Sequence, residues 1–278
     1  MRRNDRNRSG FESLPKNYRE LFFDTLKQNW RTFFLVGLIS LLFFLPTLVF
    51  MFLNDYYFLS ISSNESYTLA EVDALRITAA NYFNIGASVG IVIACIGISG
   101  LSRVNLFLSR EEGVFFFQDF NKGVKQNTKN NIVFFIIYAI LIYFSFFVTN
   151  NIAGNMFLLF LPFALVQTIF FPLLLINVET TSIYSWSIKD SFRNAFIIYI
   201  KNFVFVLIFS TLFTSILLLN LIQHIVIKYI SFVLFIVIIY PLLAISFRVF
   251  MNRALDRDIN KKNYPEIYKK GIYTEENK

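Results

Sequence analysis

The chain has 278 residues, of which 56% are apolar and only 16% charged, with a mean hydropathy of +0.56 and a net charge of +8. A soluble domain carries about a quarter charged residues, so this composition excludes an ordinary soluble enzyme. The positive charge does not imply nucleic-acid binding either, because the basic residues flank apolar runs, where anionic lipid headgroups attract them.

Residues 1–32 form a basic, polar arm that begins MRRNDRNRSG. It is not a cleavable signal peptide, because the apolar run that follows is too long for a signal core. Within it Tyr18, Leu21, Phe22, Leu26 and Trp30 recur at helical spacing, with Arg19, Glu20, Lys27 and Arg31 elsewhere on the wheel. That pattern predicts a short amphipathic helix lying at the membrane surface.

A hydrocarbon core about 30 Å thick needs roughly 20 apolar residues per helix. Six such runs follow, over residues 33–53, 82–101, 132–149, 156–177, 203–222 and 229–247, and none has a charged residue within its apolar core. The runs are unbroken rather than alternating, so helices are expected and not barrel strands. Pro46, Pro162, Pro172 and Pro241 lie in or near spans, where neighbouring helices can satisfy the freed backbone groups.

An outer loop is expected over 54–81, with Asp55, Glu65, Glu71 and Asp73 as solvated carboxylates opposite Arg76. Asn64-Glu65-Ser66 matches a glycosylation sequon. In the second span Gly86, Gly90 and Ala94 recur every four residues and share one helix face, a pattern that lets helices approach closely. This face packs either inside the bundle or against a second protein. Cys95 in the same span is a single thiol with no companion for a disulfide or metal site.

Two segments repeat. Phe115-Phe116-Phe117-Gln118-Asp119-Phe120-Asn121-Lys122 leads to Asn131, and Trp186-Ser187-Ile188-Lys189-Asp190-Ser191-Phe192-Arg193 leads to Asn202. In each, an aromatic residue lies four before the aspartate, a cation three after it, and an asparagine twelve after it opens a span. Pro172-Leu173-Leu174 also resembles Pro241-Leu242-Leu243. The expected architecture is an all-α bundle of three transmembrane hairpins, each preceded by a short amphipathic cytoplasmic helix. The residues Phe115, Asp119, Phe120, Lys122, Trp186, Asp190 and Arg193 are candidates for docking a partner.

Of the 26 Lys and Arg, all but Arg76 and Lys228 fall in the arm, the two even-numbered connections or the tail 248–278. The positive-inside rule therefore predicts both termini in the cytoplasm. The single histidine, His224, has no second histidine for a zinc site. No phosphate loop or nucleophile elbow is present. No catalytic residue, metal site or cofactor is expected. Intramembrane polarity comes instead from residues such as Asn84, Ser99, Gln167, Asn177, Thr211 and Thr214, which either join helices or line a route for a neutral solute.

The stretch GISGLSRVNLFLSREEGVFFFQDFNKGVKQNTKNN, at 97–131, resembles the YesL-like family of bacterial integral membrane proteins, as does Asn29-Trp30 followed by Leu45-Pro46-Thr47. The longer N-terminal arm and the outer loop 54–81 depart from that family. The resemblance implies a bacterial cell-membrane protein of no established enzymatic activity, associated with carbohydrate uptake systems. The expected role is a non-catalytic accessory or assembly subunit beside membrane transporter subunits, embedded in the lipid bilayer. The alternative is a permease for a neutral polar or lipid-like solute.

Overall fold

The computed structural model describes residues 15–64, 66–151 and 156–273, with side chains at all of these except 156–160. The beginning of the basic arm, sequon residue Glu65 and residues 274–278 lie outside the described residues. The described chain is helical: α1 (Tyr18–Gln28), α2 (Trp30–Ser62), α3 (Leu69–Leu108), α4 (Phe116–Asn151), α5 (Met156–Leu165), α6 (Phe171–Thr181), α7 (Ile188–Lys201), α8 (Phe203–Thr214), α9 (Ile225–Leu234), α10 (Tyr240–Leu255) and α11 (Lys261–Asn263). Six stretches are long and apolar enough to cross a membrane: Trp30–Ser62, Leu69–Leu108, Phe116–Asn151, Leu161–Thr181, Phe203–Leu221 and Ile225–Asn263. This is a multi-pass, all-α membrane architecture. Connectivity gathers α1, the turns after α3 and α6 and the tail at one end of the bundle, here called the basic end.

The outer loop expected over 54–81 is mostly helix. α2 continues through Asp55 to Ser62, and α3 starts at Leu69. Asp55 is not a solvated carboxylate: it accepts from Lys228 Nζ at 2.6 Å and from the Tyr229 hydroxyl at 2.9 Å, which ties α2 to α9. A reciprocal cap opens α3, with Thr68 N–H donating to Glu71 Oε2 at 2.8 Å and Glu71 N–H to Thr68 Oγ1 at 3.4 Å. Such a cap satisfies backbone donors that a helix start otherwise leaves bare. The polar composition of these turns reads as loop, yet an exposed helix extension needs no apolar face.

Two of the three expected short helices are separate elements. α1 is capped by Asn17 and α7 by Ser187, and each ends at an asparagine. Asn29 has φ −120 and ψ 26, and Asn202 has φ −121 and ψ 25. Both donate their side-chain amide to the carbonyl four residues back, at 3.2 Å to Thr25 and 3.1 Å to Ile198. Each side chain therefore closes one helix end, and an aromatic residue then opens a span. The third expected helix is absent as an element, because α4 runs unbroken from Phe116 to Asn151. Its asparagine, Asn131, has tertiary partners instead of its own backbone, so nothing interrupts the helix there.

The two matching prolines sit in matching distortions. A π turn, Val166–Phe170, precedes Phe171-Pro172, and another, Phe235–Ile239, precedes Tyr240-Pro241. Proline lacks an N–H and its ring clashes with the carbonyl four residues earlier. A local widening of the helix relieves both problems.

Helices α2, α3 and α4 pack through glycines. A Cβ at Gly90 would lie 2.6 Å from the Thr47 backbone nitrogen, and one at Gly86 would overlap the Phe50 ring. Ala94 is fully buried. The stripe Gly86, Gly90 and Ala94 is thus consumed inside the bundle. On α4, a Cβ at Gly123 would lie 2.8 Å from the Gly100 carbonyl oxygen. Gly123→Val is expected to destabilise the protein by about 1–3 kcal/mol through overpacking. A thermal unfolding curve of the purified variant in detergent measures this, and an unshifted midpoint would contradict the close α3–α4 contact.

The charged tail folds back as far as Tyr273. Asp256 accepts from the Tyr18 hydroxyl at 2.5 Å, from Lys269 N–H at 3.0 Å and from Asn260 Nδ2 at 2.6 Å. Tyr184 donates to Asn260, and Tyr273 N–H to the Pro15 carbonyl at 3.0 Å. Burial first, and the Asp256 carboxylate after it, push the Tyr18 phenol well above its ordinary value. Tyr184 is raised for the same leading reason. The folded state holds these protons more tightly, so the stabilisation is complete below the unfolded phenol value of about 10 and fades as pH rises above it. The unfolding midpoint of the wild type should hold between pH 8 and about 9.5 and fall as pH rises above about 10. Tyr18→Phe should start lower and fall less.

Candidate functional site

The spans hold a charged pair after all. Helices α6 and α10 continue past the apolar runs that ended at Asn177 and Phe247, and these extensions carry Glu179 and Arg248. Glu179 lies seven residues after Pro172, and Arg248 seven after Pro241, so the two copies of the Pro-Leu-Leu repeat place opposite charges at one register position.

Arg248 is 0% exposed. Its Nη1 donates to the Glu179 carbonyl at 2.8 Å, and its Nη2 to the Ser102 carbonyl at 3.0 Å and to Ser182 Oγ at 2.7 Å. Its Nε faces the Glu179 carboxylate in an ion pair. One guanidinium therefore joins α3, α6 and its own helix α10. Burying a guanidinium is tolerable only when its charge and its donors are met; here Nη1 and Nη2 have acceptors and the Glu179 carboxylate balances the charge.

A second polar ladder crosses the same level. Asn131 Nδ2 donates to Ser99 Oγ at 2.8 Å, while Asn131 Oδ1 accepts from Asn177 Nδ2 and from Thr181 Oγ1, both at 2.9 Å. Asn127 Nδ2 donates to the Ser99 carbonyl at 3.1 Å. Ser99 and Asn177, expected either to join helices or to line a route, join α3, α4 and α6.

Above the ion pair lies a cavity of about 220 Å³. Its walls are mostly apolar and come from α2, α3, α4, α6, α8, α9, α10 and the irregular turns between them, with Phe44, Met51, Ile91, Leu217, Phe232 and Phe235 among them. Ser102, Asn105 and Glu179 lie at the end nearest the ion pair, and Thr47, Tyr138, Thr214 and Tyr240 add polar groups elsewhere in the lining. Asn105 is 4% exposed, and its Oδ1 has no hydrogen-bond partner among the described residues. An unmet buried amide oxygen costs about 1–3 kcal/mol, and this one is enclosed by the bundle. An engineered apolar cavity of about 150 Å³ binds benzene, so this one has room for more than a single ring.

The expected docking residues have local structural roles. Asp119 is buried and accepts from Phe115 N–H at 2.8 Å, capping α4. Asp190 is exposed and accepts from Ser187 Oγ at 2.5 Å, at the start of α7. Phe120 packs under α3 against Gly100 and faces the Phe43 ring. Trp186 stacks on Tyr184 with ring centres 4.4 Å apart, and its carbonyl accepts from Asn130. Phe115, Lys122 and Arg193 remain exposed. The two aspartates are thus matched in sequence because both sit in the first turn of a helix, where carboxylates meet free N–H groups.

His224 caps α9, its Nδ1 accepting from Ile227 N–H at 3.5 Å, and Cys95 is buried beside Ser99. Among the described residues no group of three or more His, Cys, Asp or Glu could hold a metal ion. Compared with protein-family models, with characterised proteins and with solved structures, the chain matches none. The cavity and its polar floor are therefore read from their own chemistry. Sequence reasoning missed Glu179, Arg248 and Asn105, although the common spacing from Pro172 and Pro241 carried a signal for the first two.

Proposed function

We propose that this chain is a non-catalytic protein of the cell membrane, with both termini in the cytoplasm, that takes a lipid-like solute into the interior of its helical bundle. The observation that carries this reading is the mostly apolar cavity of about 220 Å³ with a few polar groups in its walls. A pocket of that kind, apolar with a few convergent polar groups, is the usual form of a small-molecule site. Its polar floor lies toward the basic end, near where α3 and α6 terminate, so a ligand's head would sit close to headgroup level and its body deeper. The distribution of Lys and Arg supports the orientation. The YesL-like resemblance supports a bacterial membrane but says nothing of a solute.

A photoreactive long-chain probe, carried by the full-length protein in lipid nanodiscs, tests this proposal. Crosslinks should map to lining residues such as Met51, Ile91 and Phe235. Leu217→Trp, which fills the cavity from its α8 side, should reduce them several-fold. Labelling confined to lipid-facing residues, unchanged by that variant, would contradict the reading.

A second role, as accessory subunit of a carbohydrate uptake transporter, keeps support from Phe115 and Phe117, which are 57% and 65% exposed at the basic end near Lys122. Phe117→Ser would then reduce recovery of transporter subunits with a tagged copy from native membrane. Equal recovery would remove this role.

A further inference from the structure

We infer that the outward face of α4, with Arg103 reaching onto it from α3, holds one anionic phospholipid, its phosphate among the cations at the basic end and its chains along the apolar stripe below them. This face lies outside the bundle, and the inference does not rest on the proposed solute of the cavity.

The face is built as an amphiphile is. Lys122, Gln126 and Lys129 follow at steps of four and three, so they share one side of α4, and all three are exposed. The same side continues into Ile136, Ile140 and Phe144, which are 41%, 60% and 57% exposed. At a rise of about 1.5 Å per residue, Lys129 stands about 3 Å and Gln126 about 7.5 Å toward the basic end from Asn131, where the apolar run begins. The cations therefore stand at headgroup level and the apolar side chains at acyl-chain level.

Gly123 brings Arg103 to this face. A Cβ there would lie 2.9 Å from the Arg103 Cβ, so α3 and α4 almost touch at this point. Arg103 Nη1 donates to Gln126, and the guanidinium lies 5.0 Å from the centre of the Phe107 ring. Its Nε is enclosed, but Nη2 is not enclosed and has no acceptor among the described residues.

No carboxylate among the described residues forms an ion pair with Arg103, Lys122 or Lys129. Glu179, Asp258 and Glu112 pair with Arg248, Arg257 and Lys270 instead. Asp119, the nearest in sequence, is buried and accepts from Phe115 N–H. The three cations repel one another until an anion lies among them. A free phosphate would supply the charge but leave the apolar stripe unused, whereas an anionic phospholipid meets both.

The test is native mass spectrometry of the full-length protein, released from detergent containing phosphatidylglycerol and phosphatidylcholine with matched chains. The wild type should retain one phosphatidylglycerol per chain in preference to phosphatidylcholine. Each cation near the surface strengthens binding of an anionic head about fivefold, so Lys122→Gln with Lys129→Gln should weaken retention about 25-fold. Both side chains are exposed and unpaired, so folding should be unaffected, as an unshifted thermal midpoint in phosphatidylcholine alone would verify. Lys261→Gln with Lys262→Gln removes the same charge from exposed positions of α11 and should leave retention unchanged. Equal weakening by the two pairs, or no preference for phosphatidylglycerol in the wild type, overturns the inference. Displacement of the bound lipid by millimolar glycerol 3-phosphate overturns it too, since phosphate alone would then suffice.

Discussion

Arg248→Ala should lower stability by about 3–5 kcal/mol, because it leaves the Glu179 carboxylate buried without a counter-charge. It also strips the Glu179 and Ser102 carbonyls and Ser182 Oγ of a donor. For a protein whose total stability is about 5–15 kcal/mol, that loss removes much of the folded population. The cause is distinguishable from mere loss of volume. Arg248→Met paired with Glu179→Leu removes both charges together and should recover a good part of the stability. Fluorescence-detected size exclusion and thermal midpoints of the two single variants and the pair measure this. Equal losses in Arg248→Met and in the double variant would mean that the ion pair does not hold the three helices.

The second large effect is expected at Asn131. Its amide joins Ser99 on α3 to Asn177 and Thr181 on α6. Asn131→Leu keeps the volume but leaves several buried polar partners unmet at once, at a cost of about 2–4 kcal/mol in total. Replacing Asn177 as well, as Asn131→Leu with Asn177→Leu, removes two partners together and should cost less than the sum of the single changes. Strict additivity of the two losses, measured on the same thermal scale, would argue against a shared network.

The six membrane spans were legible because each is an uninterrupted apolar run long enough for a bilayer, and α1 and α7 were legible from aromatic residues at helical spacing. The helical extensions over 54–81 were hidden, since these residues carry scattered charge and no amphipathic stripe, although Thr68 and Glu71 have the spacing of a reciprocal cap. Asp119 and Asp190 stood out as a repeat, but the pattern alone does not separate a docking carboxylate from one that caps its own helix. The backbone around them decides that. Asn131 and Asn202 match in sequence and part in structure, because only Asn131 has polar side chains within reach on α3 and α6.

The floor of the cavity was the least legible part. Glu179 and Arg248 fall just past the apolar runs, where charge normally marks a helix emerging into water. Their pairing depends on two helices far apart in the chain meeting at one level, which is a tertiary fact. Asn105 looked like an ordinary polar residue near the end of a span. Its amide oxygen is enclosed without a partner among the described residues, which only the packing reveals.

The central claim is that this space holds a lipid-like molecule in the native membrane. The measurement that tests it most directly is mass spectrometry of lipids extracted from the protein after purification in nanodiscs drawn from native membrane, compared with the bulk lipid of the same membrane. The account predicts one lipid class enriched several-fold with the wild type and returned to bulk proportion with Leu217→Trp. Identical lipid composition in the wild type, the filled variant and the bulk membrane would contradict it.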